Sequence, residues 1–387
     1  MTRIKKYDAI LMLIMSILIQ PDFTTQFKPL FAVYALADIL IFLYLFIPLT
    51  RKAKLSRTTM TWIFIRLYLL ILMIVNSNLS DVDKWGRLTI IVLDYMLIFQ
   101  REDYRGTIDR LIKCLSNLGV IYLLINVITV ILFPTGIVSN YGGHWYFLGT
   151  RNSMVSYFFP FLAASGLVFF KTGKRKNLLF TAILVLGLTL YFKISTSIVI
   201  LGLFIIIYVF RLPLKKYLKL LITIPASMVA SIGFVLFNAS NMFTFILVNI
   251  LGKDSGLNSR SDIWAVAINK IVETPIGMIF GHGIVNSGDF IKLYGLNWPA
   301  HNQLVQWLFE IGIIGTLMTV LFLLSFDDSS ATTKEHYFIR SMITAIAIGC
   351  ISSNFFDISC IYILFLMLLY LGKNYYWRAS THEHRSN

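Results

Sequence analysis

The stretch SRSDIWAVAINKIVETPIGMIFGHG (259–283), followed by WPAHNQLVQWLFEIGIIG (298–315), decides how this chain is read, because nearly every other segment is a candidate membrane span. Ile263, Trp264, Ala267, Ile268, Ile271 and Val272 recur at helical spacing, with Asp262, Asn269, Lys270 and Glu273 on the other side. The pattern predicts an amphipathic helix over 261–273 lying on a membrane surface and capped by Ser259 or Ser261. Pro275, Gly277, Gly281 and Gly283 then interrupt regular structure, and Pro299 precedes a long apolar helix starting near His301. The chain is expected to re-enter the membrane at this histidine.

Composition around this stretch excludes a soluble domain. Of 387 residues, 57% are hydrophobic and 14% charged, and the mean hydropathy is +0.75, which leaves too little polar surface to cover a core. A net charge of +15 would suit nucleic acid. The basic residues, however, fall in short runs at alternate gaps: Arg3, Lys5 and Lys6, then Arg51, Lys52, Lys54 and Arg57, then Arg101, Arg105, Arg110 and Lys113. Lys171, Lys174, Arg175 and Lys176 form the next run, followed by Arg211, Lys215, Lys216 and Lys219. That is the positive-inside pattern of a multi-pass membrane protein, and it needs no nucleic-acid partner. Cys114, Cys350 and Cys360 lie in apolar segments without paired spacing and imply neither disulfides nor zinc.

Apolar segments fall near residues 7–20, 30–49, 58–76, 88–100, 114–133, 153–170, 178–192, 198–210, 218–237, 303–324, 338–353 and 357–372. The expected fold is all-α, a single integral membrane domain over 1–387 with about 12 transmembrane helices and both termini inside. Several segments are shorter than the roughly 20 residues a span needs, so their ends extend into polar residues, or they tilt or re-enter. This alternation leaves two substantial outside loops, 134–152 and 238–302. The second carries the amphipathic helix. The first sets Tyr141, Trp145, Tyr146 and Phe147 among glycines and ends on Arg151 and Asn152, either an interfacial aromatic belt or a sugar platform. Asp38, Arg66 and Asp94 sit inside spans, where charge is costly. They read as a buried ion pair of Arg66 with Asp38 or Asp94, or as the ion-coupling site of a transporter.

On the outside surface no ATP or sugar nucleotide is available, so a reaction there must use an activated substrate, usually a sugar on a polyprenyl diphosphate in the same bilayer. Arg260 and Arg151 offer planar paired donors for the diphosphate that leaves. His301, at a helix start, is placed to act as a base on an acceptor hydroxyl, and the same helix end attracts the diphosphate. Alternatively, His301 and Asn302 only cap the helix. His282 is a second candidate base or a turn filler, and His144 beside Trp145 a candidate sugar contact. Glu310, farther along the His301 helix, is expected in a buried hydrogen bond. Outside carboxylates at metal-ligand spacing are missing, Asp327 and Asp328 being adjacent but inside, which disfavours a divalent-metal glycosyltransferase. No cofactor motif is found.

These residues resemble the bacterial O-antigen ligase and O-antigen or capsular repeat-unit polymerase superfamily. The resemblance rests on Arg260 and Trp264, Pro275 and Gly277 with Gly281 and Gly283, His301 and Asn302, then Glu310, Gly312 and Gly315. Gly149 to Asn152 is similar to the family's Gly-x-x-Asn loop. The resemblance implies a glycosyltransferase type C-like architecture and metal-independent transfer of a glycan from undecaprenyl diphosphate at the cytoplasmic membrane. His301 would activate the acceptor hydroxyl and Arg260 would hold the diphosphate. Arg151, Asn302, Trp264, His282, His144 and Lys193 are the candidate substrate contacts. In one departure, Thr196, between Ser195 and Ser197, stands where the family often has Arg, and nearby Lys193 lacks the paired donors of a guanidinium. The expected partners are the undecaprenyl-diphosphate-linked oligosaccharide, membrane lipid and a chain-length regulator. The expected activity is repeat-unit polymerisation, with O-antigen-type ligation and a 12-span transporter or flippase as alternatives.

Overall fold

The computed structural model describes residues 2–52, 55–76, 81–140, 143–236, 258–285, 290–291, 295, 299–327 and 333–371. Residues 238–257 and most of 286–298 in the 238–302 loop, together with Tyr141 and Asp328, lie outside the described residues. The elements are α1 (Thr2–Leu18), α2 (Lys28–Lys52), α3 (Arg57–Val75), α4 (Val82–Tyr104), α5 (Ile108–Leu132), α6 (Val155–Thr172), α7 (Lys176–Tyr191), α8 (Ser195–Val209), α9 (Arg211–Leu214) and α10 (Leu220–Leu236). They continue as α11 (Asn258–Glu273), α12 (Pro275–Phe280), α13 (Gln303–Leu324), α14 (Lys334–Gly349) and α15 at 362–371.

Each apolar segment read from the sequence lies on a helix. Five are long and apolar enough to cross a membrane: Lys28–Ile47, Arg57–Val75, Ile108–Leu132, Val155–Thr172 and Gln303–Leu324. Tyr7–Leu18, Lys176–Tyr191, Ser195–Val209, Leu220–Val235 and Ser359–Leu371 are shorter apolar helices. The protein is therefore an all-α polytopic membrane protein. Burial follows from this. α15 and most of α6 are buried, with Phe158, Phe159 and Phe365 at the centre, while α2 turns Val33, Leu36, Leu40 and Leu43 outward, as a lipid-facing helix does.

The helix ends fall into two groups. In one, Tyr7 donates to Glu102, Lys171 pairs with Asp109, and Asp327 accepts from the Leu220 N–H at 2.9 Å and from Arg340 Nε at 2.9 Å. In the other, Tyr157 donates to Gln20 O at 2.8 Å, Thr196 meets Ser353 at 3.3 Å, and Arg260 donates to Ser352 O at 3.0 Å. Every pair joins loops on the same side of the alternation read from the charge pattern.

Two expectations are corrected. Loop 134–152 is not only loop, since Val138–Asn140, Gly143–Tyr146 and Gly149–Thr150 form a three-stranded antiparallel meander. The ion pair of Arg66 with Asp38 or Asp94 does not form. Arg66 Nε donates to Thr89 Oγ1 at 2.8 Å and Nη2 to Trp85 O at 2.8 Å, with the guanidinium over the Trp62 and Trp85 rings. Thr89 precedes Asp94 by five residues, about 7.5 Å of helix rise, so α3 meets α4 one and a half turns away from that carboxylate. Asp94 has Asp38 as its charged neighbour instead.

Candidate functional site

The amphipathic pattern around 261–273 folds as α11, beginning at Asn258. Its apolar face does not lie on a membrane surface alone. Ile263, Trp264, Ala267 and Ile271 pack with Val305 and Phe309 of α13, while Asp262, Asn269, Val272 and Glu273 are exposed. The Trp264 indole donates to Ala300 O at 2.7 Å and lies edge-on to Phe234. Trp264 thus holds the chain just before His301.

His301 adopts φ +51°, a left-handed conformation that few residues other than glycine take. It is the last turn residue before Asn302, the N-cap of α13. Asn302 is fully buried: its Oδ1 accepts from the Val305 N–H at 3.1 Å and from Ser231 at 3.0 Å, and its Nδ2 donates to Ile351 O at 3.0 Å. With its amide engaged on both sides, Asn302 positions the turn. Strain of this kind clusters where a side chain must be held in one place.

One loop, 350–357, gathers the rest. Cys350 O accepts from the Gln303 N–H at 3.0 Å, Ile351 O from Asn302, and Ser352 O from Arg260. The Ser353 hydroxyl meets Thr196 in the first turn of α8. The α8 and α13 N-termini therefore converge on the same loop as Arg260. The Ile194 side chain does not cap α8, and Ser195 Oγ is buried without a hydrogen-bond partner. Uncapped N–H groups at a helix start favour an anion.

Arg260 and His301 are both half-buried, and adjacent carbonyls of the 350–357 loop hold Arg260 and the residue after His301. Burial lowers the His301 pKa to about 4, and the Arg260 charge adds to this. Burial also lowers that of Arg260. The imidazole is therefore neutral at pH 7.

The other expected residues lie apart from this pair. His282 Nε2 meets Lys270 O at 3.2 Å, its ring packs on Phe309, and its N–H donates to Phe309 O at 2.9 Å, so it fastens α11 to α13. His144 is exposed on the meander, with Nδ1 against Thr135 O at 2.6 Å. Arg151 is exposed in the turn after the meander, and Lys193 is exposed before α8 at φ +50°. Among the described residues, no hydrogen bond or ion pair joins these three to Arg260 or His301.

Glu310 is buried and hydrogen-bonded as expected, but the sequence reading missed the polar group around it along α13. Gln306 Nε2 donates to Glu310 Oε1 and to Asp357 Oδ2, both at 3.1 Å, and Asn354 donates to Gln306 Oε1. Arg66 and Lys84 are the nearby cations. The polar run SSNFFD (352–357) between two apolar segments was the available signal. Among the described residues no three His, Cys, Asp or Glu side chains gather within metal-ligating reach.

No curated protein matches the chain. No solved structure matches it. Residues 180–320, which run from α7 through most of α13, match the family model of O-antigen ligase, and this match supports the O-antigen ligase and polymerase superfamily of multi-pass membrane proteins.

Proposed function

We propose that this protein is a glycosyltransferase that polymerises the repeat units of a surface polysaccharide, whether O-antigen, capsule or exopolysaccharide. Its substrates are undecaprenyl-diphosphate-linked oligosaccharides on the extracytoplasmic side of the cytoplasmic membrane. The observation that best supports this is the convergence of Arg260, the His301–Asn302 turn and the uncapped start of α8 on consecutive residues of one loop, 351–353. The non-reducing-end hydroxyl oxygen of one repeat bonds to the anomeric carbon of the growing chain. The bond from that carbon to the diphosphate breaks, and configuration inverts. His301 takes the hydroxyl proton, and Arg260 holds the departing diphosphate with the α8 N–H groups in place of the missing arginine. A pKa near 4 makes a poor base, but the arriving diphosphate brings negative charge beside the imidazole and raises its basicity.

The name of the matched family favours a second reading, ligation of finished polymer to a terminal acceptor. The same residues would serve. Deletion of the gene separates the two: the proposal predicts single repeats attached downstream, and full-length chains left on the lipid carrier would overturn it in favour of ligation. The adjacent buried Asp38 and Asp94 would suit a transporter. Polymer of normal length from the Asp38→Asn, Asp94→Asn variant speaks against that alternative, and its loss speaks for it.

A further inference from the structure

At the end of the bundle remote from His301, a cavity of about 670 Å³ opens between α5, α6, α14 and α15. Its walls divide by chemistry. Ile108, Ile112, Leu167, Val168, Phe170 and Leu371 are apolar, whereas Arg110, Lys113 and Lys171 bring positive charge. Asp109 and Glu335 are the acids, and Asp109 is already held by Lys171. Among the described residues neither Arg110 nor Lys113 forms an ion pair, and both are exposed. The long helix α5 begins at this cavity without a side-chain cap, so its N-terminal N–H groups add positive potential, whereas the start of α14 is capped by Thr333. Lys334, beside it, lies over the Phe170 ring at 5.4 Å.

We propose that this cavity binds the headgroup of an anionic phospholipid, with the phosphate between Arg110, Lys113 and the α5 N-terminus and the acyl chains along the apolar wall. Two features select a lipid over a free phosphate. A small anion would leave most of the volume and all of the apolar wall without a partner, and the cavity lies at the helix ends, at the depth where headgroups sit. Basic pockets between transmembrane helices at the end carrying the basic loops are recurrent lipid sites. The site shares no residue with Arg260 or His301, so it stands whether or not the transferase reading does.

Native mass spectrometry of the purified full chain in detergent tests this, with phosphatidylglycerol, phosphatidylcholine and sn-glycerol 3-phosphate as separate probes. Phosphatidylglycerol is expected to bind tightly and the other two weakly. The Arg110→Gln, Lys113→Gln variant is expected to lose roughly tenfold or more of that affinity. The Lys215→Gln, Lys216→Gln variant, which removes as much charge but from residues outside the cavity lining, is expected to bind as wild type does. Equal loss in both variants would reduce the effect to general charge and overturn the proposal. So would tight binding of phosphatidylcholine or of glycerol 3-phosphate, the latter assigning the cavity to a soluble phosphate. The substituted residues are exposed, and the Tm without lipid confirms that each variant is folded.

Discussion

Arg260 and His301 belong to different elements, yet each is fixed by a backbone carbonyl or cap of its neighbour: Arg260 by Ser352 O, and His301 by a left-handed turn locked through Asn302 and Ala300. A guanidinium matters here for its fork of donors as well as its charge. Arg260→Lys should therefore retain only part of the turnover, and Arg260→Ala should lose about 10²–10³ in kcat, measured with lipid-linked repeats. A lysine variant at full rate would show that charge alone suffices. The His301 pKa gives a second test. Folded, it titrates near 4 against an ordinary 6.5. Between these values the unfolded chain binds a proton that the folded chain does not, so stability is full above 6.5 and falls as the pH drops toward 4. The fall in Tm from pH 7 to pH 5 should be smaller in His301→Asn than in wild type, and an equal fall would contradict the lowered pKa.

Among the elements, α13 is held in place by a close crossing. Gly312 interrupts it at φ 63°, ψ −171°, a region essentially reserved for glycine. A Cβ there would meet Gly281 N at 2.5 Å, and Tyr68 of α3 binds both strands of the crossing through Phe280 O and Ile311 O. Gly312→Ala should cost about 1–3 kcal/mol from strain alone, and more from the backbone clash. It should appear as a lower Tm in detergent, whereas Gly187→Ala, in open space on α7, should be neutral or slightly stabilising. Equal effects would mean that the crossing is not tight. This crossing also shows what the sequence made legible. Gly281 and Gly283 could be read as breaks because glycine alone tolerates such backbone, and α11 because its apolar spacing is local, whereas the interruption at Gly312 lay hidden inside one apolar segment. Arg66 could not be read correctly, since its surroundings come from Thr89, Glu310 and Asp357, far apart in the chain. The 350–357 loop escaped for a related reason: three of its contacts are made by carbonyls, which carry no side-chain signature, and its polar run SSNFFD finds its partners on helices distant in the chain.

For the whole molecule, the alternation of basic loops could be read from charge, and the pairing of helix ends agrees with it. A single cysteine at Arg151 and another at Lys215 should react with a membrane-impermeant thiol reagent from opposite sides of intact cells. Cys114 and Cys360 are buried and Cys350 half-buried, so background labelling should be low. Labelling of both positions from one side would break the topology. The most direct test of the central claim is reconstitution of the purified full chain with lipid-linked repeats, without nucleotide, comparing wild type with His301→Ala and Arg260→Ala. The expected result is polymer from wild type and unextended repeats from both variants. Long polymer from both variants would contradict the assignment of this pair to the chemistry.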